Sequence, residues 1–458
     1  MATFTVQEVK EATKAQVLMA PKSRSDVFQH VDTDTRTLAQ QSLFVALTGE
    51  RFNGHDFVLE AVKKGATGIV VSENRPEYRT LDAIVFLVAD TLQAYQQLAQ
   101  FHRRRFSIPV IAVTGSVGKT STRNIISTVL SQKFNVCQTE KNFNNEIGLP
   151  KTLLQLDKTH EVCVVEMGMR GLGQIAALAS IAAPTVGVVT NVGKSHIELL
   201  GSIENIARAK AELVEALSAE GIAILNQDDS RVAAMSNVCK GKVIGYGVSC
   251  EAAVQAERIR VSEKGVSFMC RCFDQGFEVK IPVLGKHHVY NALAAIATGR
   301  LLGLSENQMI RGLSEYKGVP MREELIHIGS YTFINDAYNA NPASMMAAIQ
   351  TLSMLPRGKK IAVLGGMLEL GEWAVTEHEA LGSAVVQANI DVLITLGELA
   401  AASARAARKA GMTAVYEVKT HQEAAGKIKE HLSPGAIILL KGSRGFSMEK
   451  VLTYFEGM

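Results

Sequence analysis

Lys119 and Thr120 close a glycine-rich turn, Thr114-Gly115-Ser116-Val117-Gly118-Lys119-Thr120-Ser121, that begins where the apolar run Pro109–Val113 ends. The run is β-branched and reads as a buried strand, and Thr122–Leu130 behind the turn has helical spacing. Strand, turn and helix in that order form a cradle for phosphate. Backbone N–H groups of the turn and of the helix N-terminus face the anion, Lys119 adds a point charge, and Thr120 offers a hydroxyl to a magnesium ion. The strict pattern G-x-x-x-x-G-K-[ST] is not met, because Val113 stands where its first glycine belongs. By itself the loop says that the chain handles a nucleoside triphosphate.

Other candidates follow the loop. Val162-Cys163-Val164-Val165 ends in Glu166, and a carboxylate at the carboxyl end of a strand is placed where a magnesium ligand would sit. Val186–Thr190 ends in Asn191, with His196 five residues on. Imidazole suits manganese or zinc better than magnesium, which prefers oxygen. Lys210 lies in an amphipathic helical stretch, where burial statistics favour an exposed lysine paired with a nearby Glu. Gly285-Lys286-His287-His288-Val289-Tyr290-Asn291 joins a strand-like run to a helix, so its polar side chains would read a base edge or cap that helix. Asn142-Phe143-Asn144-Asn145 and Asp336-Ala337-Tyr338-Asn339-Ala340-Asn341-Pro342 are dense in amides, which suits either a polar ligand or ordinary turns.

These residues need elements to position them. At 458 residues the chain is too long for one core, and length suggests about three domains. Residues 1–107 carry strand-like Ser42–Leu47 and Gly68–Val71 around a helical Asp56–Lys64. Residues 108–318 alternate apolar runs with helical stretches such as Ile203–Leu217 and Val289–Leu302, which predicts a largely parallel sheet with helices on both faces. Residues 319–458 repeat the habit, with strands at Ile361–Leu364, Val392–Leu396 and Ile437–Leu440 and helices at about 376–388 and 398–410. Ligands in such sheets bind at the carboxyl ends of the strands.

Composition excludes several classes. Apolar residues at 47% and charged residues at 20% are normal for a globular chain, and a net charge of +3 argues against nucleic acid or an anionic membrane as partner. Six cysteines form no disulfide framework, and Cys270-x-Cys272 has the wrong spacing for a zinc knuckle. No secretory signal opens the sequence and no apolar run approaches a membrane span, so a cytoplasmic protein is expected.

Taken together, the motifs resemble the Mur ligase family of peptidoglycan biosynthesis over essentially the whole chain. Thr114 to Thr120 is similar to the family's short phosphate loop, which accounts for Val113. Thr190-Asn191-Val192-Gly193-Lys194-Ser195-His196-Ile197-Glu198 with Ala209-Lys210-Ala211-Glu212 resembles its second metal region. Asp34-Thr35-Arg36 and Gly49-Glu50-Arg51-Phe52-Asn53-Gly54-His55 resemble the part that holds a UDP-sugar. Asn142 to Pro150 and Asp336 to Pro342 look specific to the member that adds D-alanyl-D-alanine.

The resemblance implies an α/β fold of three domains: a smaller N-terminal one, a central P-loop sheet and a Rossmann-like C-terminal one. It implies an ATP-dependent amide ligase joining D-alanyl-D-alanine to UDP-N-acetylmuramoyl-tripeptide through an acyl phosphate, acting as a monomer. Ser116, Val117, Gly118, Lys119 and Ser121 would surround the phosphates, with Asn291 on adenine, Arg322 on the triphosphate and Asp336 on ribose. Thr120 and Glu166 would hold one magnesium ion, His196 a second, and Lys210 would be carbamylated. Thr35, Arg36, Asn53, Gly54, His55, Asn142, Asn144, Asn145, Tyr338, Asn339, Asn341, Ser443 and Arg444 would contact the two peptide substrates. Two positions depart from the family: His288 replaces an Asn beside the adenine site, and Gly366 replaces an Asp whose role would be missing or taken by Glu369. The alternatives are another amino-acid-adding ligase of the family, or an ATP-binding switch without catalysis.

Overall fold

A computed structural model describes residues 2–21, 25–50, 52–355 and 358–456. Arg51, part of the expected UDP-sugar stretch, lies outside the described residues. The chain divides into two compact units: Met1–Ala112, Phe134–Gly168 and Gln174–Thr185 form one, and Val113–Lys133, Met169–Gly173 and Val186–Met458 the other.

The first unit holds a five-stranded sheet of β1 (Gln16–Met19), β2 (His30–Asp32), β3 (Ser42–Val45), β4 (Ala66–Val71) and β5 (Ile84–Leu87), in the order β1-β5-β4-β3-β2. β1 runs antiparallel to β5, and the other pairings are parallel. Helix α1 (Thr91–Arg103) follows, started by Asp90, whose carboxylate accepts the Gln93 N–H at 2.9 Å.

A nine-stranded sheet contains β6 (Val110–Thr114), β7 (Val136–Gln138), β8 (Val162–Glu166), β9 (Val186–Val189), β10 (Ile222–Asn226), β11 (Lys242–Gly247), β12 (Val254–Ser262), β13 (Gly265–Cys272) and β14 (Gln275–Ile281). Their order is β14-β13-β12-β11-β10-β9-β6-β8-β7, and the division between the units runs through β6. The pairings from β9 to β12 are parallel, whereas β12, β13 and β14 form an antiparallel meander. The largely parallel sheet expected here is present, and the antiparallel meander extends it; the sequence marks that meander only by the strand-like run before Gly285. Its residues alternate buried with exposed, as in Phe277, Val279 and Ile281, so no continuous apolar run marks it.

The last sheet takes β15 (Glu324–Ile328), β16 (Tyr331–Asp336), β17 (Lys360–Gly365), β18 (Val392–Leu396), β19 (Val415–Val418) and β20 (Ile437–Lys441) in the order β15-β16-β20-β17-β18-β19. All pairings but β15 with β16 are parallel. Phe333, Ile361, Val363, Ile394, Ile438 and Leu440 are buried in its core, each worth roughly 1.5–3 kcal/mol for leaving water. The carboxyl ends of β16 and β20 therefore sit on a rigid base.

Candidate active site

Around the phosphate turn, the second unit supplies its own bracing. Gly115 has φ +149°, and a Cβ there would lie 1.9 Å from Thr190 Oγ1; only glycine allows that approach. Thr190 Oγ1 donates to the Val117 carbonyl at 2.7 Å, and Asn191 Oδ1 accepts the Val117 N–H at 2.9 Å. Ser116 N–H donates to the Asn191 carbonyl, and Ser116 Oγ exchanges hydrogen bonds with Gly193 at 2.8 and 3.0 Å. The residues just past β9 thus fix the turn's shape before any ligand arrives. Lys119 opens helix α2 (Lys119–Leu130) and folds its ammonium over the turn, donating to the Gly115 carbonyl at 2.6 Å.

Helix α4 begins at His287 (His287–Leu301; α3 is Ile203–Glu215) and carries Asn291, whose Oδ1 accepts from Thr122 Oγ1 at 2.9 Å. Arg322 points at the start of α2: its Nη2 donates to Thr120 Oγ1 at 3.2 Å and its guanidinium lies 4.4 Å over the Tyr338 ring. The Arg322 Nε is buried without a hydrogen-bond partner among the described residues. A cation with an unmet donor beside a phosphate-type turn is suited to a polyanion.

Asp336 is the last residue of β16, so the strand runs past the expected Phe333-Ile334 to include it, and Lys441 is the last of β20. They are register partners, with Lys441 Nζ 2.6 Å from Asp336 Oδ2. Burial pushes the Asp336 carboxyl up, and the Lys441 ammonium opposes that shift. Asn339 and Asn341 are engaged locally: Lys441 donates to the Asn339 carbonyl at 3.2 Å, and Asn341 caps helix α5 (Pro342–Met354) while its Nδ2 donates to Ser195 Oγ at 2.8 Å. Ser443 Oγ accepts the Leu368 N–H at 3.0 Å, whereas Arg444 is exposed and paired with Glu449 at 2.7 Å.

His196 occupies a left-handed backbone conformation, φ +60°, and its Nδ1 bonds to the Glu369 carboxylate. Burial lowers its pKa, Glu369 raises it and Lys119 lowers it, with the net shift downward. The neutral ring is held by one nitrogen and keeps Nε2 for another partner, the arrangement usual for a metal-binding histidine. Lys210 corrects the expectation of a surface lysine. It projects from α3 but is only 2% exposed, and no carboxylate faces it among the described residues. Burial and the neighbouring Lys119 push its pKa well below the ordinary lysine value, as expected for an amine denied water beside a like charge.

The remaining candidates belong to the first unit. Glu166 ends β8, buried, and accepts from Asn144 Nδ2 at 2.7 Å. Asn145 Oδ1 accepts the Gly148 N–H at 2.9 Å, and Asn142 is exposed. Arg36 is exposed and forks onto Asp34, whose carboxyl it holds down at about 2. Thr35 Oγ1 donates to Glu60 at 3.1 Å. His55 is buried between Asn53 Oδ1, 2.7 Å from its Nδ1, and the Ser72 N–H, 2.9 Å from its Nε2. Its ring therefore shapes the turn that Asn53 and Gly54 begin. Sequence reasoning missed the pairing of Asp336 with Lys441 and the bracing by Asn191. The one available signal was that each lies at the carboxyl end of a strand.

A phosphate turn with facing arginine and lysine, at the carboxyl ends of parallel strands, defines a nucleotide-binding enzyme of the P-loop type. Family models match in order along the chain: the Mur ligase family catalytic domain at 27–103, the Mur ligase middle domain at 113–299, and the Mur ligase glutamate ligase domain at 321–444. The chain belongs to the Mur ligase family. It is 40% identical, over 99% of its length and 98% of the relative, to the UDP-N-acetylmuramoyl-tripeptide–D-alanyl-D-alanine ligase of Bacillus subtilis. The Escherichia coli protein of the same name is 35% identical over 92% of both chains. Among solved structures, MurF from Acinetobacter baumannii superposes with a TM-score of 0.92 at 30% identity, covering 99% of both chains. MurF ligase from Thermotoga maritima in complex with ADP gives 0.84 at 29%, covering 93% of this chain and 97% of that one. The expected α/β fold and ATP use are borne out. No helix among the described residues is long and apolar enough to cross a membrane.

Proposed function

We propose that this chain joins D-alanyl-D-alanine to UDP-N-acetylmuramoyl-tripeptide, with conversion of ATP to ADP and phosphate, in peptidoglycan precursor synthesis. The observation that carries the reading is Arg322, a half-buried guanidinium whose buried Nε–H is an unmet donor beside Thr120, in a chain 40% identical to a ligase of that name. A carboxylate is a poor electrophile because its charge is delocalised and its leaving group is bad. Transfer of the γ-phosphoryl group makes an acyl phosphate with a good leaving group. The dipeptide's amine then attacks, and a tetrahedral intermediate expels phosphate.

Two anions must meet for the first step, so this chain's cations have to be in place beforehand. Lys119 would leave the Gly115 carbonyl for the β/γ-phosphates, and Arg322 would spend its free Nε–H on the triphosphate; both act by position and charge. Asn291 would turn toward adenine and Asp336 toward ribose, with Lys441 holding the carboxylate in place. The three-segment division, 1–107 for the UDP-sugar, 108–318 for ATP and 319–458 for the dipeptide, is the functional division we propose.

Magnesium fits the donors of the second unit: Thr120 offers a hydroxyl, and His196 a neutral Nε2 with its other nitrogen fixed by Glu369. Glu166, which ends its strand in the first unit, offers a carboxylate, and its part as a magnesium ligand rests on the family resemblance. Bound magnesium neutralises phosphate oxygens as a Lewis acid. Lys210 would contribute as a carbamate: its buried, neutral amine adds carbon dioxide, releases a proton and becomes an anionic oxygen donor. Glu369, whose carboxylate bonds to His196 Nδ1, would take any role of the Asp missing at Gly366.

The test is phosphate release measured with each substrate omitted. Release that requires both UDP-muramoyl-tripeptide and D-alanyl-D-alanine supports the reading. Release with a single amino acid as acceptor would point to another ligase of the family, and none under any combination to an ATP-binding switch.

A further inference from the structure

His287 and His288 start helix α4, and both face the carboxylate of Glu323, 35 residues beyond His288 in the chain. Their Nε2 atoms lie 3.0 and 3.6 Å from the same oxygen, Glu323 Oε2. One ligand atom from each of the three residues falls within 4.8 Å of the others. Despite these distances Oε2 is buried with no hydrogen bond of proper geometry, so the ring N–H directions do not meet it. Two ligands on a four-coordinate zinc ion, at about 2.0–2.1 Å each, are about 3.3 Å apart. The two observed separations bracket that edge.

The surroundings keep the three groups in place. Glu323 Oε1 accepts from Thr351 Oγ1 at 3.0 Å, which leaves Oε2 turned to the histidines. Met321 and Glu323 have φ of +60° and +50°, conformations that are strained for non-glycine residues and gather at functional positions. Gly285, at φ +94°, leaves the space open, since a Cβ there would lie 2.4 Å from the His287 ring and 2.9 Å from Glu323 Oε2.

We propose that His287, His288 and Glu323 form a binding site for a zinc-class divalent cation, distinct from any metal that accompanies ATP. Two imidazoles and one carboxylate select zinc over magnesium, and three protein ligands leave a position for water. An ion there would tie the start of α4, which carries Asn291, to the segment that carries Arg322. Zinc would then set the spacing of the nucleotide's two contacts.

The test uses the full chain, stripped with chelator and dialysed against zinc chloride, with bound metal counted by elemental analysis. The parent should hold one more equivalent of zinc than His288→Asn or Glu323→Gln, and His196→Ala should keep that equivalent. Cobalt(II) in place of zinc should give the intense visible bands of a four- or five-coordinate site in the parent and lose them in His288→Asn. If Glu323→Gln fails to fold, His288→Asn, an amide of similar size, decides with the cobalt spectrum. A parent that takes up no zinc at micromolar concentrations overturns the proposal. So does a variant His288→Asn that keeps the full complement, or loss of the ion in His196→Ala alone.

Discussion

Lys441 Nζ and Asp336 Oδ2 stand 2.6 Å apart at the carboxyl ends of adjacent parallel strands, both buried. Neither residue reaches water well enough to stand alone, so each depends on the other. Lys441→Met leaves a buried carboxylate unpaired and should cost about 3–5 kcal/mol. Adding Asp336→Asn should recover much of the loss, because the double variant has no stranded charge. The Asp336 carboxyl is already raised by burial, so the native form holds its proton more tightly than the unfolded one. The deficit of Lys441→Met should therefore shrink as pH falls and the carboxyl protonates. Urea unfolding of the two variants across acidic pH checks both points.

Lys119→Ala should lower ligation by about a hundredfold or more, since no neighbour in the turn supplies a charge at that place. The fold should survive, for the turn is braced through Thr190, Asn191 and Gly193 and not through the ammonium. Steady-state rates with circular dichroism of the variant separate the two statements. Near-normal turnover would remove Lys119 from the mechanism.

Lys210→Ala should be inactive and partly rescued by acetate or formate, which restore an oxygen donor in the space vacated. Lys210→Arg should stay inactive, because guanidinium keeps its charge and takes up no carbon dioxide. Ligation rates with and without the acids decide the matter. An active Lys210→Arg would make the residue a positive group only.

His102, in α1, is buried, its Nε2 2.8 Å from the Leu156 carbonyl. Burial pushes its pKa down to about 4, partly opposed by that hydrogen bond. The unfolded chain binds the proton near 6.5, so stability is complete above pH 6.5 and drains away as pH falls toward 4. The window of about 2.5 units corresponds to about 3 kcal/mol. His102→Gln should flatten the slope of unfolding free energy between pH 6.5 and 4. An unchanged slope would place the titration elsewhere.

What the sequence determined by itself was whatever lies close along the chain. The phosphate turn, with Gly115 to Thr120 between strand and helix, is a local pattern whose residues need only their neighbours to be read. The strands ending at Glu166, Val189, Asn226 and Lys441 were legible because buried parallel strands are continuous apolar runs. The antiparallel strands of 254–281 were not, beyond the run before Gly285, since their apolar residues alternate with polar ones. Tertiary structure alone decided what surrounds each side chain. Lys210 reads as a surface residue because its helix is amphipathic, and only packing places it out of water beside Lys119. Asp336 and Lys441 are 105 residues apart and meet through strand order, as Glu369 meets His196 across 173. Sequence spacing carries no record of such meetings, because the energy that selects them comes from burial and strand pairing distributed over the whole sheet.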